Sequence, residues 1–152
     1  TVLDGFVGDA AITFPVGEID EVSKKLLEVT EKARQLGIEQ AVAGNRIGDI
    51  SAAIQEYVEA NGFSLVRDFA GHGVGKEMHE DPMVPNFGKR GMGPKIEEGM
   101  VIAVEPMLNL GTANIFILDD DWTIITADEK PSAHYEHTVA VTKDGYQILT
   151  GE

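Results

Sequence analysis

The spacing of the apolar residues changes twice along the chain, and that double change limits the folds open to it. Near the start, Ala10, Ile12 and Phe14 are two apart, as in a strand with one buried face. This strand, Phe6–Phe14, joins a shorter one at Val2–Leu3 through the turn pair Asp4-Gly5. From Ile19 the interval becomes three or four. Ile19, Val22, Leu26, Val29, Ala33 and Leu36 form one stripe of an amphipathic helix, and Gly37 reads as its C-terminal stop. After a polar loop, Ile47, Ile50, Ile54, Tyr57 and Val58 mark a second helix that closes at Asn61-Gly62. The texture then returns to strands at Phe63–Val66, Met100–Leu108, Ile115–Leu118, Thr123–Thr126, His134–Val141 and Tyr146–Leu149, with a turn at Lys143-Asp144-Gly145. Strands, two consecutive helices and more strands predict an α+β fold, with the helices on one face of a mainly antiparallel sheet. Gly71 to Gly99 lacks periodicity and is rich in Gly and Pro, which predicts a long functional loop.

At 152 residues and 43% apolar content, the chain is expected to form one domain, 1–152, with a core of ordinary size. A net charge of −14 repels phosphate backbones and anionic lipid, so neither nucleic acid nor a membrane surface is an expected partner. There is no cysteine, so any metal must be held by nitrogen and oxygen ligands. No apolar run approaches the roughly 18 to 20 residues that cross a bilayer, and a soluble, cytoplasmic protein is expected. Thr1-Val2-Leu3 opens in mid-strand, which reads as a fragment.

Several residues carry possible chemistry. His72 stands among glycines in Gly71-His72-Gly73-Val74-Gly75, where the backbone can turn sharply and a ligand can come close; an incidental histidine in a glycine turn is the competing reading. His79, before Glu80-Asp81-Pro82, reads by itself as a solvated loop residue. Glu105 ends the apolar run Met100 to Val104, and a buried carboxylate needs a cation, a metal or a proton. Glu136 precedes the apolar alternation of Thr138 to Val141, where an outward-facing strand residue is the alternative. Asp9, after Gly8, reads alone as a turn residue, and Asp119, Asp120 and Asp121 read as a solvated turn before Trp122. One imidazole and three carboxylates, His72, Asp9, Glu105 and Glu136, suit a first-row divalent ion with hydrolytic chemistry better than a structural zinc site. Carboxylates can also bridge two ions.

Five segments in order, Asp4 to Asp9, Ala52 to Val66, Gly71 to Pro82, Gly99 to Met107 and Tyr135-Glu136-His137-Thr138, make the chain resemble type I methionine aminopeptidases of the pita-bread metallopeptidase group. The group also includes prolidase and aminopeptidase P, whose Arg-Ile-Glu-Asp-like segment is absent here. The resemblance implies a pita-bread fold, here its C-terminal half, with a curved sheet and two helices on one face. It implies that Asp9, His72, Glu105 and Glu136 are metal ligands and that Glu105 also passes a proton to the leaving amine. By the same resemblance His79 contacts the scissile carbonyl oxygen, and Met78 and Trp122 shape the methionine pocket. The implied cofactors are divalent ions (Co, Mn, Fe(II) or Zn), two in the complete family site and one here, because a further aspartate ligand lies in the N-terminal half. The implied reaction is removal of N-terminal methionine from a peptide or nascent protein. The alternatives are a catalytically silent half-fold that binds a partner and an aminopeptidase P or prolidase-like enzyme. A homodimer, or a separate chain bringing the N-terminal half, is the expected way to complete the fold.

Overall fold

The structure is a computed structural model and describes residues 1–151. The chain opens with β1 (Val2–Leu3) and β2 (Phe6–Val7), joined through Asp4 and Gly5 at φ 52° and 84°. Two consecutive positive φ values make the primed turn that matches strand twist, and Asp-Gly is the pair that adopts it most easily. Asp9 follows, then β3 (Ala10–Ala11). The expected strand Phe6–Phe14 is thus two short pieces, and Ile12 to Phe14 leave the sheet.

Helix α1 (Glu21–Ile38) starts where the Asp20 carboxylate accepts from the Ser23 amide at 2.7 Å. The expected stop at Gly37 is corrected: Gly37 lies inside the helix. It is small because a Cβ there would stand 2.8 Å from Ile54 and 3.2 Å from Val104. Helix α2 (Ile47–Ala60) begins where Asp49 accepts from the Arg46 amide at 2.8 Å and closes at Asn61 and Gly62, the latter at φ 80°. The two helices pack on each other and on strands of the curved sheet, and their stripes meet Val84, Ile102, Val104, Leu108 and Val139 in one core.

Then follow β4 (Ser64–Leu65), β5 (Gly71–Gly73), β6 (Glu80–Val84), β7 (Val101–Val104) and β8 (Met107–Asn109). The stretch predicted as one long loop therefore contributes two strands, β5 and β6. After β8 come β9 (Ile115–Ile117), β10 (Ile124–Thr126), β11 (Ser132–His134), β12 (Glu136–Thr142) and β13 (Gly145–Ile148). All pairings are antiparallel. The main sheet runs β13-β12-β7-β5-β6 with β3 beside β12, and a smaller one runs β11-β8-β4.

The two sheets meet where two predicted strands each break in the middle. Met100–Leu108 is interrupted at Glu105-Pro106, and His134–Val141 at Tyr135. His137 pairs with Val104 on one side of the break and His134 with Met107 on the other. The register is the same on both sides, so Glu136 lies directly across from Glu105. Pro106 has no N–H to give to a ladder, which accounts for the bend on its strand.

Candidate metal centre

The bend between the sheets is where the carboxylates gather. Glu136 and Glu105 occupy opposed positions on neighbouring strands and are both buried, at 4% and 9% exposure. The Glu105 backbone is held by the buried Asn86, whose side-chain amide donates to the Glu105 carbonyl at 3.1 Å. Asp9 arrives from the other side of β12. Its N–H donates to the Thr138 hydroxyl at 2.9 Å, and that hydroxyl donates back to the Asp9 carbonyl at 2.8 Å. His72 comes from β5, a strand thin enough to pass because Gly71 and Gly73 flank it; a Cβ at either would overlap a neighbouring backbone carbonyl oxygen.

One ligand atom from each of Asp9, His72 and Glu136 lies within 4.8 Å of the others, and the same holds for Glu105, His134 and Glu136. His72 Nε2 is 3.3 Å from Glu105 Oε1, and His134 Nε2 is 3.3 Å from Glu105 Oε2. The four residues singled out in the sequence, Asp9, His72, Glu105 and Glu136, are thus brought together. His79 stands at the exposed rim, its ring edge-on to that of His72 at 4.3 Å between centroids. Both histidines line an open cavity of about 720 Å³ together with Phe69, Met83 and Phe87. Met78 is half-exposed beside His79. Trp122 stands on the turn between β9 and β10, 85% exposed and outside the cluster. In that turn Asp120 accepts from the Trp122 and Thr123 amides, so the Asp119 to Asp121 run is a solvated turn.

The cluster has the donor set of a cation site. His72 Nδ1 lies 2.9 Å from the Gly73 carbonyl oxygen, which can only accept, so Nδ1 carries a proton and, in the neutral ring, Nε2 turns a lone pair toward Glu105. In that state two acceptors face each other at 3.3 Å, and either a proton or a metal cation between them relieves the contact. Glu136 Oε1 is enclosed and has no hydrogen-bond partner. Among the described residues, no ion pair joins a Lys or Arg to Asp9, Glu105 or Glu136. Burial, then the neighbouring charges of Glu105 and Asp9, push the Glu136 carboxyl up to about 7, against a smaller opposing effect of His134. An oxygen-rich site with one committed imidazole nitrogen, three carboxylates and no thiolate fits a first-row divalent ion.

Sequence reasoning missed two residues of this neighbourhood. His134 precedes Glu136 by two and so shares its face of an extended chain, a signal that was present. Asn86 lies in an aperiodic stretch where no pattern marked it.

Fold and site together give a candidate divalent-cation site set in the bend of an antiparallel sheet. The chain belongs to metallopeptidase family M24, whose model matches residues 1–143. It is 58% identical over 148 residues to a methionine aminopeptidase of Clostridium perfringens, covering 97% of this chain and 59% of that protein. It is 50% identical over 148 residues to methionine aminopeptidase 1 of Bacillus subtilis, covering 97% of this chain and 60% of that one. Among solved structures, the methionine aminopeptidase from Thermotoga maritima superposes with a TM-score of 0.97 at 46% identity, covering 99% of this chain and 61% of that one. The prolidase from Pyrococcus horikoshii shares the fold, with a TM-score of 0.72 at 24% identity over 97% of this chain and 37% of that one. The chain thus spans about 60% of the length of the curated relatives it matches. The two-helix, curved-sheet architecture is that of the pita-bread fold. No helix among the described residues is long and apolar enough to cross a membrane.

Proposed function

We propose that this chain carries the metal-binding part of an aminopeptidase that removes methionine from the N-terminus of peptides and proteins. The observation that carries the reading is the meeting of Asp9, His72, Glu105 and Glu136 at one bend, with an enclosed Glu136 oxygen lacking any protein partner. The similarity to methionine aminopeptidases supports the choice of substrate. Asp9, His72, Glu105 and Glu136 would hold one first-row divalent ion, with Co, Mn, Fe(II) and Zn all compatible with the donor set. Bound there, such an ion supplies Lewis acidity, polarising a carbonyl and making water acidic enough to react near neutral pH.

The remaining work falls to the side chains. Glu105 is the carboxylate that carries a proton from water to the leaving amine. His79, at the exposed rim beside His72, donates to the scissile carbonyl oxygen as negative charge grows there. Met78, half-exposed beside His79, would add apolar surface for the methionine side chain, and the resemblance alone brings Trp122, exposed on the β9–β10 turn, to the same role.

The test is release of methionine from a Met-Ala-Ser peptide with added Co, Mn or Fe(II), alongside an X-Pro peptide. Calorimetric titration of Co(II) into wild type and His72→Ala accompanies it. The reading predicts close to one ion per chain, lost in His72→Ala, with little methionine release by this chain by itself and any release it shows confined to the methionine peptide. Release from X-Pro instead would assign the chain to the aminopeptidase P or prolidase-like class. A cobalt-loaded chain without turnover on either peptide would leave a metal-binding but catalytically silent domain.

A further inference from the structure

His134 faces the metal centre without belonging to the four residues above. It ends β11, and its backbone is clamped on both sides by one hydroxyl. The His134 amide donates to Thr13 Oγ1 at 2.9 Å, and that hydroxyl donates to the His134 carbonyl at 2.9 Å. The ring therefore enters the bend from a fixed point. Its Nε2 is an enclosed atom with no completed hydrogen bond, 3.3 Å from Glu105 Oε2.

The two oxygens of Glu105 are thereby divided between two imidazoles. Oε1 faces His72 Nε2, which in the neutral ring with Nδ1 protonated is the free ligand nitrogen, so the cation belongs on that side. Oε2 faces away from His72 toward His134. A carboxylate that gives one oxygen to an ion needs a donor on the other to fix its rotation, and partners of this kind tune ion affinity. No hydrogen bond among the described residues commits the proton of His134 to Nδ1, so Nε2 is free to carry it.

We propose that His134 is a positioning residue: its Nε2–H donates to Glu105 Oε2 and locks the carboxylate with Oε1 turned to the ion. The inference rests on the metal-centre reading and goes beyond it, because it assigns His134 to Glu105 and not to the ion. A ligand role would need Nε2 bare, whereas a positioning role needs it protonated, and substitutions separate the two. Gln places an amide N–H close to where Nε2 sits. Asn reaches only as far as Nδ1, and Leu keeps bulk without any donor.

The experiment is calorimetric titration of Co(II) into wild type, His72→Ala, His134→Gln, His134→Asn and His134→Leu, with the visible cobalt spectrum of each loaded protein. Circular dichroism of the metal-free chains reports folding. His134→Asn and His134→Leu should bind Co(II) roughly 10- to 100-fold more weakly, while His134→Gln stays within about threefold of wild type with an unchanged spectrum. If the Leu variant fails to fold, the contrast between Asn and Gln carries the test. Equal affinity in all three His134 variants overturns the proposal. So does a Gln variant as weak as Asn with an altered spectrum, which would make His134 a ligand. Wild type that binds no cobalt would instead remove the metal-centre reading, and this inference with it.

Discussion

Glu136 is asked to be buried, to face Glu105 across the strand and to remain available to a cation. Without the cation the cheapest resolution is a proton, and burial together with Glu105 and Asp9 pushes its carboxyl up to about 7. In an unfolded chain the same carboxyl titrates near roughly 4.3. Between those values the folded state binds more protons than the unfolded one, so stability falls as pH rises through the window. The metal-free chain, held in chelator, should therefore show a thermal midpoint that declines from pH 5 to pH 7, and Glu136→Gln should flatten that decline. A midpoint that climbs over this range in wild type would contradict the assignment of the proton to Glu136. At this scale the sequence was informative wherever a charge interrupted an apolar run. Glu105 stood out for that reason, Glu136 because it stands just ahead of an apolar alternation, and His72 because glycines surrounded it. Asn86 did not, because its role is to hold a backbone carbonyl and its neighbours form no regular pattern.

The elements around the site are short because they must bend, and their breaks are the part that periodicity conceals. Glu105-Pro106 and Tyr135 lie inside runs whose apolar alternation continues on both sides, so each run reads as one strand. β5 was hidden for a different reason: Gly71-His72-Gly73 has no side-chain alternation to read, yet it must be thin to lie between β6 and β7. The Gly71 position tests this directly. A methyl there would overlap the Ala103 carbonyl oxygen, which is backbone and cannot rotate away, and would press on Val84 at 3.2 Å. Gly71→Ala should cost at least about 1–3 kcal/mol in urea unfolding. It should also weaken Co(II) binding by displacing His72. A variant of wild-type stability and affinity would show that β5 has room to shift. Gly37 carries the complementary lesson. A glycine near a helix end reads as a stop, but here it is a contact point where α1 rests on Ile54 and Val104, information that resides in another element.

Across the whole molecule, apolar exposure and net charge pull in opposite directions. Val2, Leu3, Phe6, Ile12, Phe14 and Val16 are all exposed, with Leu3 at 74% and Val16 at 84%. Leu3, Phe6, Val7 and Leu149 line an open cavity of about 890 Å³ that reaches Asp9 at the metal centre. Exposed apolar side chains in this number are uncommon on a protein that stays alone in water, and among the described residues strand β1 pairs along one edge only. Against association stands the net charge of −14, which makes copies repel. The range of that repulsion is set by salt, about 10 Å at 0.1 M and about 3 Å at 1 M, whereas apolar contact does not weaken with salt. The chain should accordingly move from monomer toward dimer or larger species as salt is raised, with the apolar face near Leu3 and Phe6 as the contact between copies. Multi-angle light scattering across a salt series measures the mass, and Leu3→Lys with Phe6→Lys should hold the chain monomeric at the highest salt. A wild-type chain that remains monomeric at 1 M salt would show that this face does not join copies of the chain, and association unaffected by the lysines would place the contact elsewhere, with the exposed β9–β10 hairpin and its Phe116, Ile117 and Trp122 the next surface to substitute.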